Sequence, residues 1–289
     1  MQKILVSLLL SSMVLFSCSK NDVLNDTANE TVQPQKNVAA RPSALEPIKL
    51  YKSWSVNAWV YAGFYTKRKS FYAEVANLAY NKKVSAHHKM ADGVWLDIPL
   101  KYISSTPYNT EIWGTEYDYS TYITSATLGN EFAMKYEVNQ QTYWDNNKGA
   151  NYTVSGSDGM YLQEGLNVSV DTMMSYFNNY TANNTGASVF NIVTDVRNIA
   201  YNKNVNVVYT TDGWKSVKTL PLAFAQYYAI GNGVTLVNPN RFGIERWTSS
   251  IAVDPSVQQI QYAVSYKVNG TEYWDNNFGK NYTAILKKY

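Results

Sequence analysis

The sequence predicts an all-β chain of two tandem antiparallel β-sandwiches behind a leader and a flexible tether. Three observations carry this expectation. First, a phrase is doubled: VANLAYNKKV from Val75 and YWDNNKGANY ending at Tyr152 return as VRNIAYNKNV from Val196 and YWDNNFGKNY ending at Tyr282. Each repeat is about 110–125 residues, too long for a solenoid unit and suited to a domain with its own core. Second, short segments alternate with period two, among them Phe132–Val138, Val205–Val207 and Tyr262–Val268, as strands do. Third, no stretch after the leader keeps a helical period between caps.

The elements follow in chain order. Residues 1–17 start basic at Lys3 and run apolar from Ile4 to Phe16, an export-signal pattern too short for an ordinary membrane-spanning helix. Leu15-Phe16-Ser17-Cys18 resembles a bacterial lipobox, which makes Cys18 the expected lipidation site; the alternative is a plain secretory signal. Residues 18–46 are polar, contain Pro34 and Pro42, and read as a lipid-anchored flexible tether. Asp22 and Asp26 near Lys20 resemble the acidic stretch behind the lipid-bearing Cys of surface-exported lipoproteins in the Bacteroidetes group. That resemblance implies the bacterial outer membrane, facing the medium. The first sandwich is expected over 47–155 and the second over 160–289, joined at Ser155-Gly156-Ser157-Asp158-Gly159. The second repeat is longer in its middle, and the extra residues are expected in loops around Gly231-Asn232-Gly233 and Asn238-Pro239-Asn240.

Composition narrows the chemistry. A formal charge of +3 without a Lys/Arg run leaves a nucleic-acid partner without electrostatic support. Cys18 is the single cysteine and the two histidines are the adjacent His87 and His88. Neither an internal disulfide framework nor a His/Cys metal site of ordinary spacing can be assembled from them. No cofactor is expected. His87 and His88 read as ordinary strand residues, and a Cys–His nucleophile pair is disfavoured because Cys18 lies in the leader. The 25 Tyr against 9 Phe suggest hydroxyls or ring faces kept at the surface.

Rings and amides recur in one order. Tyr80, Trp95, Tyr102 and Trp144 in the first repeat correspond to Tyr201, Trp214, Phe224 and Trp274 in the second. Trp95 and Trp214 each follow an Asp-Gly turn signal. Trp144 is accompanied by Asn146, Asn147 and Asn151, and Trp274 by Asn276, Asn277 and Asn281. Sugar rings present flat C–H faces that stack on aromatics, and their hydroxyls need amide partners. The competing reading is a plain hairpin closed by an Asx-turn at Asp145-Asn146, with Gly149 at positive φ.

The V-x-N-[LI]-A-Y-x-K-x-V segment, the Asp-Gly-x-Trp or Asp-Gly-Trp that follows, and the closing YWDNN-x-G-x-NY are similar to carbohydrate-binding module family 21. This is the starch-binding family of fungal glucoamylases and of glycogen-targeting subunits of protein phosphatase 1. The resemblance covers residues 47–289 and implies immunoglobulin-like sandwiches and α-1,4-glucan ligands. It implies one sugar site from Trp95 and Trp144, with Trp214 and Trp274 as its second copy and the neighbouring Asn residues bonding hydroxyls. A further site would use Tyr80 with Tyr102, and Tyr201 with Phe224. Ala133 and Ala263 stand where some fungal members have an aromatic.

The leading expectation is therefore a non-catalytic α-glucan binder, membrane-attached through its lipid and associated with a starch-uptake or amylase complex. Three alternatives stay open. A glycoside hydrolase needs two carboxylates across one cleft, and the shared motif supplies only Asp145 and Asp275, one per repeat. A phosphatase-targeting subunit needs a basic-Val-x-Phe motif, and Arg68-Lys69-Ser70-Phe71 has Lys in place of Val. An adhesin for another glycan would use the same rings and amides.

Overall fold

The computed structural model describes residues 46–61, 64–115, 119–122, 128–156, 158–172, 174–179, 187–231 and 234–288. The expected signal peptide, Cys18 and all of the expected tether except Glu46 lie outside the described residues. The first half contains β1 (Ile48–Tyr61), β2 (Phe64–Ala76), β3 (Lys82–Met90), β4 (Trp95–Pro99), β5 (Lys101–Ser105), β6 (Thr110–Gly114), β7 (Tyr119–Tyr122), β8 (Leu128–Val138), β9 (Gln141–Asp145), β10 (Tyr152–Thr153) and β11 (Gly159–Leu162). The second contains β12 (Val168–Val170), β13 (Tyr176–Asn178), β14 (Ser188–Arg197), β15 (Lys203–Thr210), β16 (Lys218–Pro221), β17 (Ala223–Phe224), β18 (Tyr227–Gly231), β19 (Val234–Val237), β20 (Ile244–Val253), β21 (Gln259–Val268), β22 (Thr271–Asp275) and β23 (Tyr282–Ile285).

Each half is a two-sheet sandwich, as the alternation predicts. The first pairs the sheet β11-β1-β2-β6-β5, with β7 on β2, against β10-β8-β3-β4, with β9 on β8. The second pairs β12-β14-β20-β17, with β13 on β14, against β16-β15-β21-β22, with β23 on β21. Period-two burial explains the packing. Leu50, Phe71, Ala73 and Val75 meet Val84, Ala86, Phe132, Met134 and Tyr136 in the first core. Val170, Phe190 and Ile192 meet Val205, Val207, Tyr262, Val264 and Tyr266 in the second. Each large apolar side chain so buried contributes roughly 1.5–3 kcal/mol.

Part of the tyrosine excess turns inward. Tyr136 and Tyr266 are fully buried, and their hydroxyls donate to the Ala76 and Arg197 carbonyls at 2.8 and 2.7 Å. A phenylalanine would leave those carbonyls without that donor. Tyr80, Tyr102 and Tyr201 stay exposed, so the tyrosines divide between core and surface.

Two organisational expectations are also corrected. The first sandwich does not end at Ser155: Gly159–Leu162 pairs with β1, Lys52 facing Leu162 and Ser55 facing Gly159. The reason is that β1 needs an edge partner, and the pairing buries Met160 and Leu162. The second sandwich begins at β12. The extra residues of the second repeat form the strand pair β18–β19 rather than loop alone. Its Leu236 joins Trp54, Met160, Leu162 and Ile244 in a third cluster that links the two halves. Asn232 and Gly233 lie outside the described residues.

Polar contacts reinforce that link. Arg197 Nη2 donates to the Leu162 and Gln163 carbonyls, both at 2.8 Å. Lys52 Nζ donates to Ser169 Oγ at 2.8 Å, and Asn240 Nδ2 to the Met160 carbonyl at 2.8 Å.

Candidate functional site

The outer face of the β10-β8-β3-β4 sheet carries a three-ring platform. On β3, Val84, Ala86 and His88 point into the core, so His87 points out. Its ring lies parallel to Trp95 of β4, with centroids 4.9 Å apart and planes 12° apart. Trp144 of β9 meets the same imidazole edge-on at 5.3 Å and 77°. The expected Trp95–Trp144 pair is therefore bridged by a residue that the sequence reading assigned to ordinary strand structure. His87 stands opposite Ala133 in the β3–β8 ladder. Outward alternation on β3 is the signal that could have found it.

Charges hold the platform in place. Asp97 accepts from His87 Nδ1 at 2.6 Å and from Lys135 Nζ at 2.8 Å. Burial pushes the Asp97 carboxyl up, but the hydrogen bonds from Lys135 and His87 prevail and hold it below its usual value. Lys135 also lies 5.8 Å from the centre of the Trp144 ring.

The second copy of this site is built differently. Val208 faces Ala263 there, so the aliphatic Val208 takes the place that the His87 ring holds in the first half. Trp95 opens β4 and pairs with Lys89, whereas Trp214 sits in the turn ahead of β16 at φ 68°. In that turn Asp212 accepts from the Ser216 amide and hydroxyl and from Thr210 Oγ1. Among the described residues no ring contact joins Trp214 to Trp274. The two tryptophan pairs thus differ in geometry, because the longer β15–β16 turn carries Trp214 off the strand.

The other expected site is repeated faithfully at its base. Tyr102 faces Trp113 in the β5–β6 ladder, ring centroids 6.1 Å apart at 81°. Phe224 faces Trp247 in the β17–β20 ladder at 5.9 Å and 84°. Trp113 Nε1 donates to Glu111 at 2.8 Å and Trp247 Nε1 to Glu245 at 3.0 Å. Each glutamate pairs with a buried lysine, Lys82 or Lys203, at 2.8 Å. Trp113 and Trp247 were missed by the sequence reading, although both repeats spell Glu-x-Trp there.

Tyr80 and Tyr201 stand beyond β2 and β14, each 96% exposed. In the second half Tyr201, Phe224 and Trp247 line one cavity of about 960 Å³ with Asn198, Asn202 and Asn204. In the first half the cavity at Tyr80 is lined by Asn81, Lys83 and Thr142 and does not include Tyr102.

The YWDNN amides work chiefly on their own turn. Asn146 Oδ1 accepts from the Gly149 amide at 2.9 Å, and Asn147 Nδ2 donates to the Asn151 carbonyl at 3.0 Å. Asn276 with Gly279 and Asn277 with Asn281 repeat these bonds at 2.9 and 3.2 Å. Asn151 Nδ2 is engaged by Glu131 at 2.8 Å. Asn147, Asn151, Asn277 and Asn281 all have positive φ, which asparagine tolerates well. The turns thus use one side-chain polar atom of each of Asn146, Asn147, Asn276 and Asn277, and Glu131 of β8 uses one of Asn151.

The paired aspartates pin one sheet to the other. Asp145 accepts from the Leu50 amide at 2.6 Å and from the Tyr152 hydroxyl at 2.9 Å. Asp275 accepts from the Val170 amide at 2.7 Å and the Tyr282 hydroxyl at 2.8 Å. Burial, then the neighbouring carboxylate, pushes up the pKa of Tyr152 and Tyr282. Their motif is explained by this bracing. Lys69 and Phe71 of the phosphatase-like string are buried in β2.

These surfaces, on tandem β-sandwiches, define a carbohydrate-binding-module class of fold. The carbohydrate/starch-binding module family 21 matches residues 70–155 and 170–284, and the chain belongs to that family. It is 40% identical over 83 residues to Glucoamylase 1 of Rhizopus oryzae, across 29% of this chain and 13% of that protein. It is 35% identical over 95 residues to human protein phosphatase 1 regulatory subunit 3B, across 31% of this chain and 29% of that protein. The chain thus spans less than a third of either relative. Among solved structures, the starch-binding domain of the Rhizopus oryzae glucoamylase, in complex with beta-cyclodextrin and maltoheptaose, matches at 30% identity and a TM-score of 0.29. That match covers 40% of this chain and 99% of the domain.

Proposed function

We propose that this chain is a non-catalytic binder of α-glucans (starch, glycogen or maltooligosaccharides) held at a bacterial cell surface by a lipid on Cys18. One observation carries the ligand class. Tyr201, Phe224 and Trp247 line a single cavity with four asparagines, which supplies ring faces for sugar C–H surfaces and amides for hydroxyls. Membership of a starch-binding family favours α-glucan among neutral polysaccharides. The Trp95–His87–Trp144 cluster gives the first half a further set of rings of the same chemistry.

Base–aromatic stacking, the nearest measured analogue, is worth about 1–3 kcal/mol per ring. Two stacks with a few hydrogen bonds then give about 4–6 kcal/mol, or roughly millimolar to tens of micromolar affinity. Two modules on one polymer raise this through an effective concentration on the order of millimolar. The test is affinity electrophoresis through amylose, amylopectin and glycogen. Retardation in at least one gel is expected, and unretarded migration in all three overturns the reading.

Anchoring and location rest on the leader. Palmitate should label the chain in cells, and Cys18→Ser should abolish the labelling. A second reading, binding of another neutral polysaccharide, is favoured by the generality of ring-and-amide chemistry; a glycan array separates it. Association with an amylase or uptake complex is tested by pull-down from the native membrane.

A further inference from the structure

The structure holds a second large cavity, about 810 Å³, in the cleft between the two sandwiches. Its second-half wall is the edge strand β22, including Trp274. Its first-half wall includes Tyr108, in the β5–β6 turn, and Tyr51 on β1. Tyr51 sits at a register shift between the Leu50–Ala73 and Lys52–Tyr72 pairs. Bulges of this kind re-aim a side chain, and here the Tyr51 ring meets Phe278 of the second half at 6.1 Å.

The cleft is preformed. Lys280 Nζ donates across it to Ser104 Oγ at 3.0 Å, and the Gln163 amide donates to the Tyr51 carbonyl at 3.1 Å. Rigid walls reduce the ordering cost of binding. The lining mixes rings with amide side chains and the carboxylates Glu74, Glu272 and Asp275, a set that suits neutral polyhydroxy chains and repels acidic ones. Gly270 lines this cleft and also the cavity of Tyr201, Phe224 and Trp247, so the two hollows meet at the β21–β22 turn.

We propose that the cleft is a saccharide site shared by both sandwiches, in which Trp274 and Tyr108 hold one glucan chain that continues past Gly270 to Tyr201. This rests on the α-glucan reading above and extends it. A single long site should favour long oligosaccharides over short ones, and a residue of the first half should contribute to a ligand held mainly by the second.

The experiment uses the full chain carrying Trp95→Ala, Trp144→Ala and Tyr80→Ala, which leaves the second-half surfaces as the main glucan contacts. Calorimetric titration with maltotriose and maltoheptaose is then repeated after adding Tyr108→Ala or Tyr108→Phe. Tyr108→Ala should weaken maltoheptaose binding about tenfold and leave maltotriose unchanged within a factor of two, while Tyr108→Phe keeps the parent affinity. An unchanged maltoheptaose affinity in Tyr108→Ala overturns the cleft proposal and leaves glucan binding standing. Absence of maltoheptaose binding by the unsubstituted chain overturns both. Hydroxyl-radical footprinting of the unsubstituted chain needs no variant: maltoheptaose should protect Tyr108 and Trp274 together, and protection of Trp274 alone overturns the proposal.

Discussion

His87 faces Ala133 across the β3–β8 ladder, and its imidazole stacks on Trp95 at 4.9 Å. A ring from β3 thus stands over the space that the small Ala133 side chain leaves on β8. The second half has Val208 opposite Ala263 and lacks that ring. The two copies of the tryptophan site are therefore chemically unequal, although their closing motifs are nearly identical.

His87→Val should make the first platform resemble the second. Aromatic pairs contribute about 0.5–1.5 kcal/mol beyond their buried area. With Tyr201→Ala and Trp274→Ala in the background, His87→Val should weaken maltoheptaose binding roughly three- to tenfold, since 1.4 kcal/mol is tenfold. His87→Phe should preserve it. Calorimetry reads both, and equal affinities for His87→Val and its parent would remove His87 from the site.

Asp97 makes the platform acid-sensitive. Its carboxyl is held below 3.8 in the folded chain, chiefly by Lys135 and His87 acting against burial. A lowered folded value means that the stabilisation is present above the unfolded value and disappears as pH falls through the folded one. Acid should therefore loosen the platform below about pH 4. Tryptophan emission followed against pH should show that change in the parent and a much smaller one in Asp97→Asn.

Asp145 and Asp275 should matter to stability. Hydrogen bonds to charged groups contribute about 1.5–3 kcal/mol each, so Asp145→Ala should cost roughly 2–4 kcal/mol in urea unfolding. Asp275→Ala should behave alike, through Val170 and Tyr282. Tyr152→Phe, which removes the hydroxyl that donates to Asp145, should cost about 1.5–3 kcal/mol. A neutral Asp145→Ala would contradict the sheet-pinning role.

Tyr266 should contribute to alkaline unfolding. Burial is the first cause pushing its hydroxyl up to about 12 from the usual 10.0. A raised folded value means that the stabilisation is complete below pH 10 and is lost as pH rises through about 12. Thermal unfolding between those limits should decline less steeply in Tyr266→Phe than in the parent. At pH 7 that variant should be about 1 kcal/mol less stable for want of the bond to the Arg197 carbonyl.

Much of this was legible because the repeat displays it twice. Tyr102 and Phe224 are poorly aligned in sequence, yet they face Trp113 and Trp247 in matching ladders. Those tryptophans escaped notice because Glu-x-Trp looks like ordinary half-buried strand until Lys82 and Lys203 are seen bracing the glutamates. The asparagines misled in the opposite direction. A turn that forces positive φ selects Asn for its backbone as readily as a sugar selects it for its amide.

By itself the sequence determined the duplication, the all-β class, the family and the aromatic inventory, since each depends on local order and period along one chain. It left the extent of the first sandwich to the structure, because the pairing of Gly159–Leu162 with β1 joins segments far apart in sequence. Only the tertiary structure decided that His87 stands opposite Ala133, that Trp214 leaves its strand, and that Trp274 faces a cleft between the halves while Trp144 lies 46% exposed. The physical reason is common to all three. Identical motifs have identical local geometry, but what lies across from them is set by ladder register and by the packing of one sandwich on the other, and neither is written within the motif.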